Sequence, residues 1–194
     1  FVSRGLGDVY KRQIINNIEA LLLGSGRPLR LSEIRTILES HGIKIELSSI
    51  KQSINLLEER YSESSLELTE VASGYRIQIK KNHSSCLAYL WNEKTPRISK
   101  ALMETISIIA YKQPVTRGDI EDIRGIAVST QSIRTLLEKD WIKVSGYRDV
   151  PGRPALYQTT NTFLNDLNLK AISELPELPE AQNIDSTHLF SEVV

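Results

Sequence analysis

Between Ile98 and Thr160 the apolar positions recur at helical spacing three times and then switch to alternation. Leu102, Met103, Ile106, Ile109 and Ala110 fall at i, i+1, i+4, i+7 and i+8, one face of a helix. Pro114 has no backbone donor and restrains Gln113 to extended geometry, so that helix stops there. Thr116 followed by Asp119 resembles a capping box with Asp in place of Glu, opening a second helix whose apolar side is Ile120 and Ile123. Ile133, Leu136, Leu137 and Trp141 mark a third. Ile142-Lys-Val144, a turn at Gly146, the loop Asp149-Val-Pro-Gly-Arg-Pro154 and the return run Ala155-Leu-Tyr157 then make a hairpin. Three helices and a two-stranded hairpin are the plan of a winged helix-turn-helix domain.

The preceding segment has the same plan. Ile14, Ile15, Ile18, Leu21, Leu22 and Leu23 predict a helix ended by Gly24-Ser-Gly26. Ile34, Ile37 and Leu38 predict a second, ended at Gly42. Ser48 or Ser49 is placed to cap a third, carrying Ile50, Ile54, Leu57 and Tyr61. Leu66, Leu68 and Val71 predict one strand, Ser73-Gly74 a turn, and Tyr75, Ile77 and Ile79 the returning strand. A shift of 86 residues lays Pro28 on Pro114, Leu23 on Ile109, Ile34 on Ile120 and Ile37 on Ile123, and a shift of 80 lays Leu56-Leu-Glu58 on Leu136-Leu-Glu138. Repetition at domain length predicts tandem winged-helix domains, mainly α with small β wings.

The expected boundaries are 14–81 for the first domain, 82–97 for a connector and 98–170 for the second domain. Residues 1–13 lack an apolar period, and Asp8-Val-Tyr-Lys-Arg-Gln13 resembles one frame of a sequencing-library adaptor. They are expected to be either a cloning or assembly artefact or a disordered basic arm. In the connector, Leu87, Tyr89, Leu90 and Trp91 predict a short helical segment packed on a domain, broken at Thr95-Pro96-Arg97. Thr160 is placed to cap a last helix with Phe163, Leu164 and Leu167, stopped by Leu175-Pro-Glu-Leu-Pro179. Residues 171–194 hold five acidic residues and no Lys or Arg, and are expected to be disordered and to repel nucleic acid.

Composition narrows the function. The net charge is zero, which argues against a dedicated non-specific nucleic-acid binder. One cysteine, Cys86, excludes an intramolecular disulfide framework and any multi-cysteine zinc site. No apolar run approaches the roughly 18 residues of a membrane span. His41, His83 and His188 are scattered without companions at metal-ligand spacing and read as surface residues. Cys86 reads as a small buried side chain, and Glu121-Asp122 as a solvated helix face. No catalytic constellation, cofactor or metal site is expected.

Two binding roles remain. A DNA-reading winged helix brings cations to base edges and phosphates. Here the third helices are neutral, Lys51 and Arg60 against Glu58 and Glu59, and Arg134 and Lys139 against Glu138 and Asp140. Residues 93–170 carry twelve Lys or Arg against nine Asp or Glu. Arg148 and Arg153 on the wing could touch a phosphate, giving weak binding at best. For Arg153, bracing the wing between Gly152 and Pro154 ranks above a phosphate contact and level with a protein contact. Protein contact is the other role. Leu31, Ile43, Ile45 and Leu47 exceed what a small core obviously needs, either as a dimer surface or as loose core packing.

The second domain resembles the bacterial segregation and condensation protein B family. The resemblance is carried by Ile98-Ser-Lys-Ala-Leu-Met-Glu-Thr-Ile-Ser-Ile-Ile-Ala-Tyr-Lys-Gln-Pro-Val-Thr-Arg117, Ile120-Glu-Asp-Ile-Arg-Gly125, Arg148-Asp-Val-Pro-Gly-Arg-Pro154, Leu156-Tyr157, Thr159-Thr160, Phe163-Leu164 and Leu175-Pro176. Asp166-Leu167 stands where the family usually has two aromatics. The resemblance spans about residues 14–180. It implies a non-catalytic, cytoplasmic and nucleoid-associated subunit of a condensin-like complex. Such a subunit forms a homodimer through its first domain and binds the kleisin, segregation and condensation protein A, and through it the SMC ATPase. A winged-helix transcriptional regulator is the alternative. Tyr111, Arg124, Arg153 and Tyr157 lie in the matching motifs and are candidate kleisin contacts, with maintenance of the fold ranked equal or above. Ile43, Ile45 and Leu47 are the candidate dimer residues.

Overall fold

The structure, a computed structural model, describes residues 3–91 and 98–177. The first winged helix comprises α1 (Ser3–Gly24), α2 (Leu31–Ser40), α3 (Leu47–Arg60), β1 (Leu66–Val71) and β2 (Gly74–Ile79). A 3-10 turn at Lys81–His83 leads into α4 (Ser84–Trp91). The second winged helix comprises α5 (Lys100–Lys112), β3 (Val115–Thr116), α6 (Arg117–Arg124), α7 (Thr130–Glu138), β4 (Ile142–Tyr147), β5 (Ala155–Thr159) and α8 (Asn161–Asp166). Both halves of the expected tandem are present.

Each half buries its own apolar cluster, one built on Ile18, Ile34, Ile50, Ile54 and Leu57, the other on Ile106, Ile109, Ile120, Leu136 and Ile142. The repeat is visible in the backbone. After Pro28, Leu29 exchanges two hydrogen bonds with Tyr75, at 2.9 and 2.8 Å, closing α2 onto the hairpin. After Pro114, Val115 pairs with Tyr157 in the same way, and there the pairing extends to a third strand in the order β3-β5-β4. A two-residue strand carries no alternation of its own, so only its partner reveals it.

Several expectations are corrected. Met103, Ile123 and Leu137 are exposed, at 42%, 53% and 39%, because they sit at the margins of their apolar faces and no neighbouring element among the described residues reaches them. Gly146 lies inside β4 at a register shift, with the turn itself at 148–153, so it marks a bulge in the strand. The cap of α3 is Glu46, whose side chain accepts from the Ser48 hydroxyl at 3.4 Å and from no helix backbone N–H, in place of Ser48 or Ser49. The repeat registers need adjustment too. Leu23 is exposed where Ile109 is buried, and Leu56 is exposed where Leu136 is buried. Ile54 and Leu57 match Ile133 and Leu136 in burial, a shift of 79, one residue from the shift that aligns identical letters.

The ends also differ. Residues 3–13 continue α1, each added residue gaining one helical bond on a nucleus already packed, with Val9 and Tyr10 exposed. Helix α8 ends at Asp166, well before Leu175. Asn168 takes φ 58° and the Leu169 N–H donates to the Leu164 carbonyl at 2.9 Å, a Schellman ending. Residues 171–177 are ordered against the second core through Ile172 and Leu175, although their acidic composition predicts disorder. Residues 178–194, including the expected stop at Leu178-Pro179 and His188, lie outside the described residues, as do 92–97 with Thr95-Pro96-Arg97 and the side chains of Tyr89, Leu90 and Trp91.

Candidate partner-binding surface

Capping chemistry builds the second domain's framework. The Thr116 hydroxyl accepts from the Asp119 N–H at 3.2 Å while Asp119 accepts from the Thr116 N–H at 2.8 Å, the reciprocal box that the sequence suggests. Arg148 on the wing root reaches the same carboxylate with both guanidinium nitrogens, at 2.8 and 2.6 Å. That fork, with the Thr116 backbone donor, holds the Asp119 carboxyl down at about 2. Arg148 is therefore tied to α6, and the expectation of a free phosphate contact there is corrected. Glu121 likewise accepts from the Val128 N–H and from Arg117, both at 2.9 Å, so it staples the α6–α7 loop where a solvated face is expected. Its acidity is raised by the Val128 donor first and Arg117 second.

The four candidate contact residues have distinct environments. Tyr111, near the end of α5, donates its hydroxyl to the Pro176 carbonyl at 2.5 Å and so pins the segment after α8. Arg124 closes α6 and bonds Glu104 of α5 at 3.0 Å, with its side chain only 7% exposed. Tyr157 is half-buried on β5 between Val115 and Val144. Arg153 is exposed at the wing tip, with φ 38° and its N–H bonded to the Val150 carbonyl at 2.8 Å. Among the described residues no hydrogen bond or ion pair joins any two of the four.

The first-domain candidates are arranged around α1. The loop between α2 and α3 passes across this helix, placing Ile43 in a groove of about 530 Å³ on one side with Leu21, Ile37 and Ala20. Ile45 lines a groove of about 360 Å³ on the other side with Tyr10, Ile14, Ile15 and Leu56. Ile43 and Ile45 are half-buried on the core, whereas Leu47 is 39% exposed at the start of α3. Leu56, 45% exposed and absent from the sequence candidates, belongs to the same groove as Ile45. Its apolar character was legible, but the adjacent Leu57 carries the core position and disguises it.

The third helices carry paired charges. Arg60 bonds Glu19 of α1 at 2.8 Å, and Arg134 bonds Glu138 at 2.8 Å. Tyr61 also donates to Glu19, and burial followed by that bond pushes its hydroxyl up to about 12. Among the described residues no group of three His, Cys, Asp or Glu converges to hold a metal ion, and no helix is long and apolar enough to cross a membrane. His41 and His83 are exposed, and Cys86 is exposed on α4 where a buried side chain is expected.

Comparison with known proteins adds relatives to this geometry. The chain is 45% identical over 168 residues to a segregation and condensation protein B homolog of Coxiella burnetii, covering 87% of this chain and 80% of that protein. It is 40% identical over 164 residues to segregation and condensation protein B of Clostridium tetani, covering 84% and 85%. Among solved structures, a dimer of the ScpB N-terminal domain complexed with an ScpA peptide matches at 26% identity and a TM-score of 0.37, covering 41% of this chain and 95% of that one. The model of the segregation and condensation complex subunit ScpB matches residues 16–178, both winged helices and the segment after α8, and the chain belongs to that family.

Proposed function

We propose that the chain is a non-catalytic subunit of a bacterial condensin-like complex. It forms a homodimer through the first winged helix and holds the kleisin subunit, acting on the SMC ATPase through that partner in the cytoplasm at the nucleoid. The observation that carries this reading is the family match across both domains. The surface supports it, since Ile45, Leu47 and Leu56 offer apolar area beside α1 while the arginines of the third helices are paired within the chain. Arg153 is the exposed member of the four kleisin candidates. Tyr111, Arg124 and Tyr157 act on the partner through the surface that they hold in place. The ion pairs at Arg60, Arg134 and Arg148 reduce the cationic surface that a DNA-binding regulator would present.

Size exclusion with light scattering tests the proposal, on the chain alone and mixed with the kleisin of the same source. A dimer that shifts into a stable complex is expected, and Ile45→Glu is expected to move the chain toward monomer. A dimer that ignores the kleisin would overturn the partner assignment. A further arm substitutes Tyr111 and Tyr157 together by Ala: kleisin affinity unchanged in a folded protein would remove both from the site.

A further inference from the structure

The first wing does not end in solvent. Its turn, Ala72-Ser73 before β2, meets the Schellman ending of α8 in the other domain. The Ala72 N–H donates to the Leu169 carbonyl at 2.9 Å, and the Ala72 side chain packs on the second core. Asn165 makes a reciprocal pair with Ser73, accepting from its N–H at 3.1 Å and donating to its hydroxyl at 2.9 Å. Arg76 sends one nitrogen to the Asn165 carbonyl at 3.0 Å and to the Asn168 side chain at 2.5 Å. Lys170 bonds Glu70 at 2.8 Å at the edge of the contact.

Both partners are shaped for this meeting. The left-handed Asn168 turns the chain so that the Leu169 carbonyl and the Asn168 amide face away from α8. On the other side, the Leu29–Tyr75 bridge ties the wing to the first domain. The Nε atom of Arg76 is enclosed, while its Nη2 reaches across to α8 and the residue after it. The hydrogen bonds make the contact largely polar, with Ala72 as an apolar insertion. Polar contacts between domains are of the kind that open and close, in contrast to a shared hydrophobic core.

We propose that the β1–β2 wing is a clasp that locks the two winged helices in one relative orientation, with Asn165 and Arg76 as its catch. With the catch made, the two domains move as one body. With the whole contact open the connector still joins them, and a partner that touches both domains selects between the two states by its differential affinity. This goes beyond the proposed subunit role and holds whatever the partner proves to be.

The test is a distance distribution by double electron–electron resonance on the full chain. Spin labels are placed at Ser40→Cys on α2 and Lys143→Cys on β4, both exposed sites, in a Cys86→Ser background. An excess of unlabelled chain restricts the signal to pairs within one chain. A narrow distribution is expected for the parent, broadened in the Arg76→Ala/Asn165→Ala variant and in Ala72→Arg, which blocks the contact from the wing side. Circular dichroism confirms that each variant keeps its helical signal, and either folded variant suffices for the comparison. A broad distribution in the parent would overturn the proposal, as would folded variants whose distributions match a narrow parent in centre and width.

Discussion

The Trp141 indole donates its N–H to the Asp166 carboxylate at 2.7 Å, tying the start of β4 to the end of α8. Trp141 is 8% exposed and meets Phe163 edge-on, with ring centroids 5.8 Å apart. The Asp166 carboxylate thus holds the end of the last helix on the Trp141 ring. Asp166→Ala is expected to cost about 1 kcal/mol, because it removes a charge-assisted hydrogen bond from a partly buried N–H. Asp166→Asn keeps an acceptor oxygen and is expected to lie closer to the parent. Urea unfolding of the three proteins checks the order, and equal losses in both variants would show that the bond itself is not the cause.

Gly74 and Gly146 both interrupt a wing, and they are expected to respond oppositely to alanine. Gly74 has φ 129°, and a Cβ there would stand 2.3 Å from the Leu29 carbonyl oxygen, against backbone that cannot retreat without breaking the Leu29–Tyr75 bridge. Nothing lies within 4 Å of a Cβ on Gly146, and its φ is ordinary. Gly74→Ala is expected to lose roughly 2 kcal/mol or more, and Gly146→Ala to stay within about 0.5 kcal/mol of the parent. Thermal melts of the two variants make the comparison.

The same contrast shows where sequence pattern is sufficient. Burial at Ile50, Ile54, Leu57 and Tyr61 repeats over several turns of α3, so the period alone marks the core face. At Met103, Ile123 and Leu137 the period is equally good, but exposure depends on which neighbour arrives, and among the described residues none does. Thr116 and Asp119 are three residues apart and legible as a capping box. Arg148 joins that carboxylate across 29 residues, and Asn165 meets Ser73 across 92, with no local signature at either end. The surface candidates suffer from the same limit: Arg124 and Tyr111 look like interface anchors by type, yet each has an intramolecular partner that only the packing of α5 supplies.

Asp119 gives a pH dependence of defined sign. Its carboxyl is held at about 2, below the ordinary value of 3.8, chiefly by Arg148. The folded state therefore favours the ionised form. The associated stability is complete above about pH 4 and is lost as pH falls toward about pH 2. Replacing Asp119 by Asn removes this contribution, so the stability difference between parent and variant is expected to shrink across that window. Melting temperatures of both proteins along an acid series test it, and a difference that stays constant through the window would exclude Asp119 as its source.

Leu56 and Leu57 are neighbours with opposite roles. Leu57 is fully buried in the first core, and Leu57→Ala is expected to cost about 2–5 kcal/mol at any protein concentration. Leu56 is 45% exposed in the isolated chain and lines the groove with Ile45. If that groove is the dimer surface, Leu56→Ala leaves the fold of one chain intact and weakens association. Since dimerisation stabilises the folded state by mass action, its effect on the melting temperature is expected to depend on concentration, unlike that of Leu57→Ala. Melts across a dilution series separate the two. A Leu56→Ala shift that is absent at every concentration, with the sedimentation of the dimer unchanged, would move the dimer surface away from α1 and α3.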